Sequence, residues 1–163
     1  KEIAVEFTSM SKTFSMPGWR MGFAVGNEYL ISALTRIKSY LDYGAFTPIQ
    51  VAAVAALNSE VEVIDEIRNI YKERRNILVD SFSNAGWNIP LPKATMFAWS
   101  PIPDKYNKLS SLEFSKLLLE EVDIAVSPGV GFGKYGEGFV RLSIVENEQR
   151  IRQAARNLRK IMK

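Results

Sequence analysis

A lysine flanked by two hydroxyl residues, Ser11 and Thr13, lies eight residues ahead of an arginine, within the stretch SMSKTFSMPGWRMG at residues 9–22. An amine with an ordinary pKa of about 10.4 attacks a carbonyl carbon only where its neutral form is favoured, and the Arg20 cation is one means of favouring it at Lys12. Hydroxyls at Ser9 and Ser11, with the Arg20 guanidinium, are groups that hold a phosphate. The stretch is thus suited to a phosphorylated aldehyde. A solvated surface lysine is the alternative, since lysines are rarely buried.

Two residue types that carry much of enzyme chemistry are absent, because the chain has no cysteine and no histidine. Their absence excludes disulfides, thiolate chemistry, imidazole bases and metal sites with Cys or His ligands, so no metal centre is predicted. The 163 residues suit one ordinary domain, and an apolar share of 47% can fill a core. The net charge of +3 is small and does not indicate an acidic partner.

No apolar run approaches the roughly 20 residues that cross a bilayer. No membrane insertion is therefore expected, and the cytoplasm is the default compartment.

Strand and helix patterns alternate along the chain, which predicts an α/β or α+β architecture. Strands are predicted at residues 1–7, 20–26, 96–99, 124–126 and 139–144. Helices are predicted after the caps Asn27 and Asn147, over residues 46–57 and 112–121, and from a capping box at residues 59–62 up to Gly86. The helix after Ser59 is long enough to join two layered units, which predicts a domain boundary there.

The first seven residues begin inside a strand-like pattern. No initiator methionine, signal peptide or turn stands ahead of them. This beginning predicts that the chain is a fragment of a longer protein.

Residues 9–22 resemble the Ser-x-Ser-Lys…Gly-x-Arg-x-Gly signature of the class I and II aminotransferases, which are pyridoxal-phosphate (PLP) enzymes of fold type I. The resemblance continues through residues 93–97 and 127–129 to the last helix. It looks closest to the bacterial branch of aspartate, alanine and LL-diaminopimelate aminotransferases. It implies that Lys12 forms an imine with PLP and then moves a proton between the substrate's α-carbon and the C4′ carbon of the cofactor. Ser9, Ser11 and Arg20 would complete the cofactor site.

Three further segments acquire roles through the same resemblance. The run FVRLSI at residues 139–144 is similar to the strand that carries the family's carboxylate-binding arginine, so Arg141 would bind the substrate's α-carboxylate; a salt bridge on an edge strand is the alternative. Phe97 would line the substrate pocket, or else belong to the core. Residues 43–47 would approach the cofactor of a partner subunit, or else form a plain loop between helices.

Two other patterns in the sequence resemble binding motifs but lack the context that those motifs need. The run GFGKYG at residues 131–136 fits Gly-x-Gly-x-x-Gly, but a strand follows it where a dinucleotide site needs a helix, which predicts a mobile loop instead. The basic residues of the last helix surround its polar side with few aromatics, so a solvated face is favoured over a nucleic-acid site.

The resemblance thus implies the C-terminal part of a PLP-dependent aminotransferase, with residues 1–59 ending the large cofactor domain and residues 60–163 forming an α+β small domain. It implies transfer of an amino group between an amino acid and a 2-oxo acid, as in aspartate aminotransferase, within amino-acid biosynthesis. A cytoplasmic homodimer that binds no nucleic acid and no membrane is expected. The alternative is a non-catalytic fragment or scaffold that keeps the fold. The sequence does not identify the amino donor. Acid-specific members of the family can use an arginine of the partner subunit to bind the side-chain carboxylate, and residues 39–50 contain none, which argues against dicarboxylate specificity by that route. Arg36 or a residue upstream of this chain is the alternative.

Overall fold

A computed structural model describes residues 2–162, so that Lys1 of the first predicted strand and Lys163 lie outside the described residues. Helices and strands alternate in it, which confirms the predicted α/β class. The strands are β1 (Val5–Ser9), β2 (Gly22–Gly26), β3 (Phe97–Pro101), β4 (Ser127–Pro128) and β5 (Phe139–Ser143). The helices are α1 (Met10–Thr13), α2 (Glu28–Leu41), α3 (Thr47–Leu57), α4 (Val61–Ser83), α5 (Ser111–Val122) and α6 (Glu148–Met162).

The chain forms two compact units, which divide inside α4 between Arg68 and Asn69. The predicted domains, 1–59 and 60–163, divide ahead of that helix and stay a prediction. The predicted capping box does not start α4. The Ser59 hydroxyl instead donates to the carbonyl of Ala56, at the end of the preceding helix, 2.7 Å away. The side chain is thus oriented toward the last turn of α3, and among the described residues it accepts no N–H from the start of α4.

Unit 1 is built on an antiparallel pair in which Ser9 of β1 stands opposite Gly22 of β2. Helix α2 begins as predicted at Asn27, whose Oδ1 accepts a hydrogen bond from the Leu30 N–H at 3.0 Å. Few side chains of the unit are buried. Large apolar side chains remain exposed on its strands, its helices and the connection from α2 to α3, among them Phe7, Tyr29, Tyr40, Leu41, Tyr43, Phe46, Val51 and Leu57. An apolar surface of this extent is typical of one that packs against another segment or chain.

Unit 2 contains a three-stranded antiparallel sheet in the order β3-β5-β4. Burial alternates along the central strand, where Val140 and Leu142 lie in the core and Arg141 lies on the other face. This alternation follows from the period of two of a pleated strand. Arg141 faces Trp99 of β3 and Ser127 of β4 in the register.

The predicted strand at residues 124–126 is wrong, because the end of α5 takes up the first of these residues. Asp123 has a φ of 57°, and the Ile124 N–H then donates to the carbonyl of Leu118 at 3.0 Å. This is the bonding pattern of a Schellman cap, which satisfies a carbonyl of the last helical turn. The strand β4 consequently forms later, at Ser127 and Pro128.

The core of unit 2 centres on Trp87. Its ring lies 5.8 Å from that of Phe82 and 5.4 Å from that of Phe114, centroid to centroid. The indole N–H donates to the Pro101 carbonyl at 3.1 Å, so the one polar atom of the ring is satisfied. Helices α4, α5 and α6 supply further apolar side chains against one face of the sheet: Leu78, Leu118, Val122, Ile151, Ala155 and Leu158. The opposite face of the sheet carries Arg141.

The glycine-rich segment between β4 and β5, predicted to be a mobile loop, contains two short 3-10 turns at Gly129–Phe132 and Lys134–Gly136. Its two ends approach each other so closely that a Cβ added to Gly136 would overlap the carbonyl oxygen of Gly129. The segment is followed by strand β5, as the sequence predicts, whereas a dinucleotide-binding turn leads into a helix.

Replacing Gly136 by alanine is expected to destabilise the loop, because the added methyl group must displace backbone and not a flexible side chain. The expected loss is about 1–3 kcal/mol in the free energy of unfolding, the usual cost of forcing extra volume into packed structure. The matched control is Gly131→Ala, since a Cβ there meets nothing within 4 Å. Chemical denaturation of both variants measures the difference, and equal stabilities would contradict the close approach.

Candidate functional site

Lys12 lies in the four-residue helical turn α1 and not in an open loop. The turn begins at Ser9, whose Oγ accepts a hydrogen bond from the Ser11 N–H at 3.2 Å and still has its own O–H to donate. The buried Met10 anchors the turn, and its N–H donates to the Met21 carbonyl at 3.0 Å. Residues two apart in a helix point about 200° apart. The anchor at Met10 therefore leaves the Lys12 side chain on the exposed side.

Arg20 lies at the other end of the same connection between β1 and β2. Its φ of 53° is in the left-handed region, as is the φ of 51° at Ser15, so two non-glycine residues reverse the chain between Lys12 and Gly22. Such backbone is costly and concentrates at functional sites. The Arg20 Nη1 donates to the Pro17 carbonyl at 3.1 Å, which orients the exposed guanidinium.

The four residues predicted for the cofactor thus lie close together in the chain: Ser9 ends β1, and Ser11, Lys12 and Arg20 lie on the twelve-residue connection from β1 to β2. Ser11 is buried and the other three are exposed. An amine, a hydroxyl donor and a guanidinium are a donor set that fits an anion carrying an electrophilic carbonyl group. Gly22 pairs with Ser9 beside this site. A Cβ at Gly22 would lie 2.9 Å from the Thr8 carbonyl oxygen, so the close approach of the two strands favours glycine there.

Unit 2 brings together the two residues predicted to bind substrate. The guanidinium carbon of Arg141 lies 4.2 Å from the centroid of the Phe97 ring and 4.5 Å from that of Phe132. Its Nη2 donates to the Ser127 hydroxyl at 3.4 Å. Trp99 continues the group, edge-on to Phe132 at 5.5 Å and stacked on Phe139 at 5.7 Å. We call the four rings of Phe97, Trp99, Phe132 and Phe139 the aromatic cluster.

Arg141 lies on the central strand of its sheet, and not on an edge strand, and it is partly buried. None of the ion pairs formed among residues 2–162 includes it. A partly buried cation without a carboxylate partner is costly unless an anion completes it. The guanidinium therefore has the environment of an anion-binding group, and its planar fork suits a carboxylate.

The sequence predicts no role for three further neighbours of Arg141, which are Trp99, Ser127 and Phe132. The alternation of β3 could have placed Trp99 on the face of Phe97, because both are odd-numbered along one strand. Ser127 and Phe132 carry no comparable signal. They approach Arg141 only through the pairing of β4 with β5 and the fold of the glycine-rich loop.

The end of that loop is fixed by Glu137. Its carboxylate accepts hydrogen bonds from the Ser111 N–H, the Ser111 hydroxyl and the Gly138 N–H. These donors, the Ser111 N–H first and the Gly138 N–H next, hold the pKa of Glu137 below its usual range. The Ser111 hydroxyl in turn accepts from the Val130 N–H at 3.2 Å. The start of α5 thus anchors both halves of the loop.

The sequence pattern that defines the class I and II aminotransferases matches residues 1–158. The putative aminotransferase AatC of Rhizobium meliloti is 66% identical over 161 residues, which cover 99% of this chain and 40% of that protein. The glutamate-pyruvate aminotransferase AlaC of Escherichia coli is 52% identical over 159 residues, covering 98% and 39%. The solved structure of substrate-bound BacF from Bacillus subtilis matches with a TM-score of 0.91 and 37% identity, covering 96% and 40%.

The chain therefore belongs to the class I and II aminotransferase family, which confirms the predicted family. It spans about two-fifths of the length of the curated relatives that it matches. None of its described helices is both long and apolar enough to cross a membrane.

Proposed function

We propose that this chain is the C-terminal portion of a PLP-dependent aminotransferase that moves an amino group between an amino acid and a 2-oxo acid. The observation that carries the proposal is the presence of Lys12, Ser9 and Arg20 on one short connection, in a chain of this family. When bound, PLP would supply the electron sink for bond changes at the substrate's α-carbon. The chain's own residues would bind, orient and move protons.

Lys12 would hold the cofactor covalently through its amine and would then act as the acid and base at the substrate's α-carbon. A positioned amine can serve both roles, since it donates a proton when charged and accepts one when neutral. Ser9 and Ser11 would contribute polar contacts to the cofactor phosphate, and Arg20 would bind it through charge-assisted hydrogen bonds. The bond from Arg20 to the Pro17 carbonyl supports this, because it uses one of five guanidinium donors and leaves the others for a ligand.

Arg141 would bind the substrate's α-carboxylate through a bidentate ion pair. Two observations support this role. Arg141 has no acidic partner among the described residues. The aromatic rings beside it lower the local dielectric, which strengthens an ion pair with a carboxylate. Phe97 would line the same pocket, because it already contacts the guanidinium that receives the carboxylate.

We further propose that the complete enzyme is a homodimer of amino-acid biosynthesis, located in the cytoplasm. The exposed segment at residues 43–47 supports the dimer, since Tyr43 is 96% exposed and Phe46 is also open. Aromatic residues are enriched at interfaces between subunits. Unit 1 as a whole leaves apolar surface uncovered, which favours low activity for this chain by itself.

An amino-donor screen tests the proposed function. The protein expressed from its full reading frame is given PLP, one donor from glutamate, alanine or aspartate, and pyruvate, 2-oxoglutarate or oxaloacetate as acceptor. We expect steady formation of the matching new amino acid for at least one pair, and much slower formation by residues 1–163 alone. Full-length protein that retains no PLP and turns over no pair would favour the scaffold alternative.

A further inference from the structure

We propose that Phe132 is a positioning residue that aligns the Arg141 guanidinium for a carboxylate ligand. The guanidinium carbon lies 4.5 Å from the Phe132 ring centroid, within the range of a cation–π contact. The inference rests on the proposed function, because it assigns Arg141 its anionic ligand. It adds a residue of the glycine-rich loop to a substrate site whose two predicted residues, Phe97 and Arg141, both lie on strands.

Burial does not account for the position of Phe132. Its side chain is 52% exposed and does not belong to the core of unit 2. Its ring contacts are with Arg141 and with Trp99, which is itself 40% exposed. Among the described residues, the ring is therefore positioned against the cation and one partly exposed indole, and not against the core.

The loop that carries Phe132 is shaped to hold the ring in place. Gly129 and Gly136 approach so closely that neither tolerates a side chain, and this closes the loop at its base. Glu137 and the Val130 N–H are tied to Ser111 at the start of α5. Between these anchors, the Phe132 ring lies against the Arg141 guanidinium. The next aromatic residue of the loop, Tyr135, is instead 87% exposed and its ring contacts Lys134.

The strand partners of Arg141 hold the guanidinium with one hydrogen bond and one ring contact. The bond to Ser127 is long, at 3.4 Å, and is the only hydrogen bond of the guanidinium among the described residues. Arginine has several rotatable bonds, and ordering them on binding costs affinity. A ring on a fixed loop restricts the planar group before the ligand arrives. Phe97 of β3 does the same from the strand.

The test compares Phe132→Leu, which removes the ring face but keeps an apolar side chain, with Phe132→Tyr, which keeps the face. The full-length protein is used, loaded with PLP. We expect Phe132→Leu to raise KM for the amino acid about two- to tenfold at nearly constant kcat, as expected from the loss of a cation–π contact, and Phe132→Tyr to behave as wild type. Tyr135→Leu is the matched control from the same loop and should leave KM unchanged.

Binding of propionate, a carboxylate without an amino group, is measured by calorimetry on the same proteins and needs no turnover. Weaker propionate binding in Phe132→Leu alone supports the positioning role. Equal binding and equal KM in wild type and Phe132→Leu, or an equal loss in Tyr135→Leu, overturns it. Wild-type protein that turns over no substrate contradicts the proposed function, and the propionate comparison then still decides whether Phe132 positions Arg141.

Discussion

Replacing Lys12 by alanine is expected to lower kcat of the full-length enzyme by about 10²- to 10⁴-fold, the usual contribution of a positioned acid and base. The same change should remove the covalent link between protein and PLP. Borohydride reduction of the wild type, followed by peptide mass spectrometry, should place the cofactor's mass on the peptide that contains Lys12. The variant should show no such addition.

Lys38→Ala is the matched control, since it removes an exposed lysine of the same unit whose partner is Asp42, 2.5 Å away. Its kcat and its labelled peptide should be those of the wild type. Substantial activity in Lys12→Ala, or label on a different lysine, would assign the covalent role to another residue and contradict the central prediction.

Replacing Arg141 by alanine should lower kcat/KM by roughly 30-fold to several thousand-fold, through weaker carboxylate binding. This range follows from the cost of about 2–5 kcal/mol for removing one partner of a buried, hydrogen-bonded charge pair, at 1.4 kcal/mol for each factor of ten. Arg141→Lys should recover only part of the loss in kcat/KM, because an ammonium group cannot form a bidentate ion pair with a carboxylate or stack on the rings as a guanidinium does.

Steady-state kinetics with the best pair from the donor screen measure these effects, and the inhibition constant of propionate reports carboxylate binding separately. Arg152→Ala is the control, because Arg152 is an exposed arginine on α6. An unchanged KM and an unchanged inhibition constant in Arg141→Ala would show that the carboxylate binds elsewhere.

Much of the local structure could be predicted because its signals lie close together in the chain. Asn27 and Asn147 cap their helices as predicted, and each accepts a backbone N–H three residues on. Strands on either side of Lys12 are also predicted, and they pair with each other, although the first runs from Val5 to Ser9 and so extends beyond its predicted end at residue 7. The family was confirmed by comparison with known proteins.

The failures share a cause, which is competition between neighbouring segments for the same group. Ser59 satisfies the helix before it and not the one after it. Ile124 completes the end of α5, although its apolar neighbours read as a strand. Sequence patterns score each segment alone, so they cannot decide which of two adjacent elements receives a shared residue.

By itself, the order of residues determined the chemical inventory: an amine, two hydroxyls and a guanidinium within one short stretch, and no imidazole or thiol anywhere. Tertiary structure alone decided which side chains surround Arg141. Phe97, Ser127 and Phe132 belong to three separate segments and meet the guanidinium only after β3, β4 and β5 pair and the loop closes on itself. Contacts between distant segments depend on packing and register, which no short window of sequence contains.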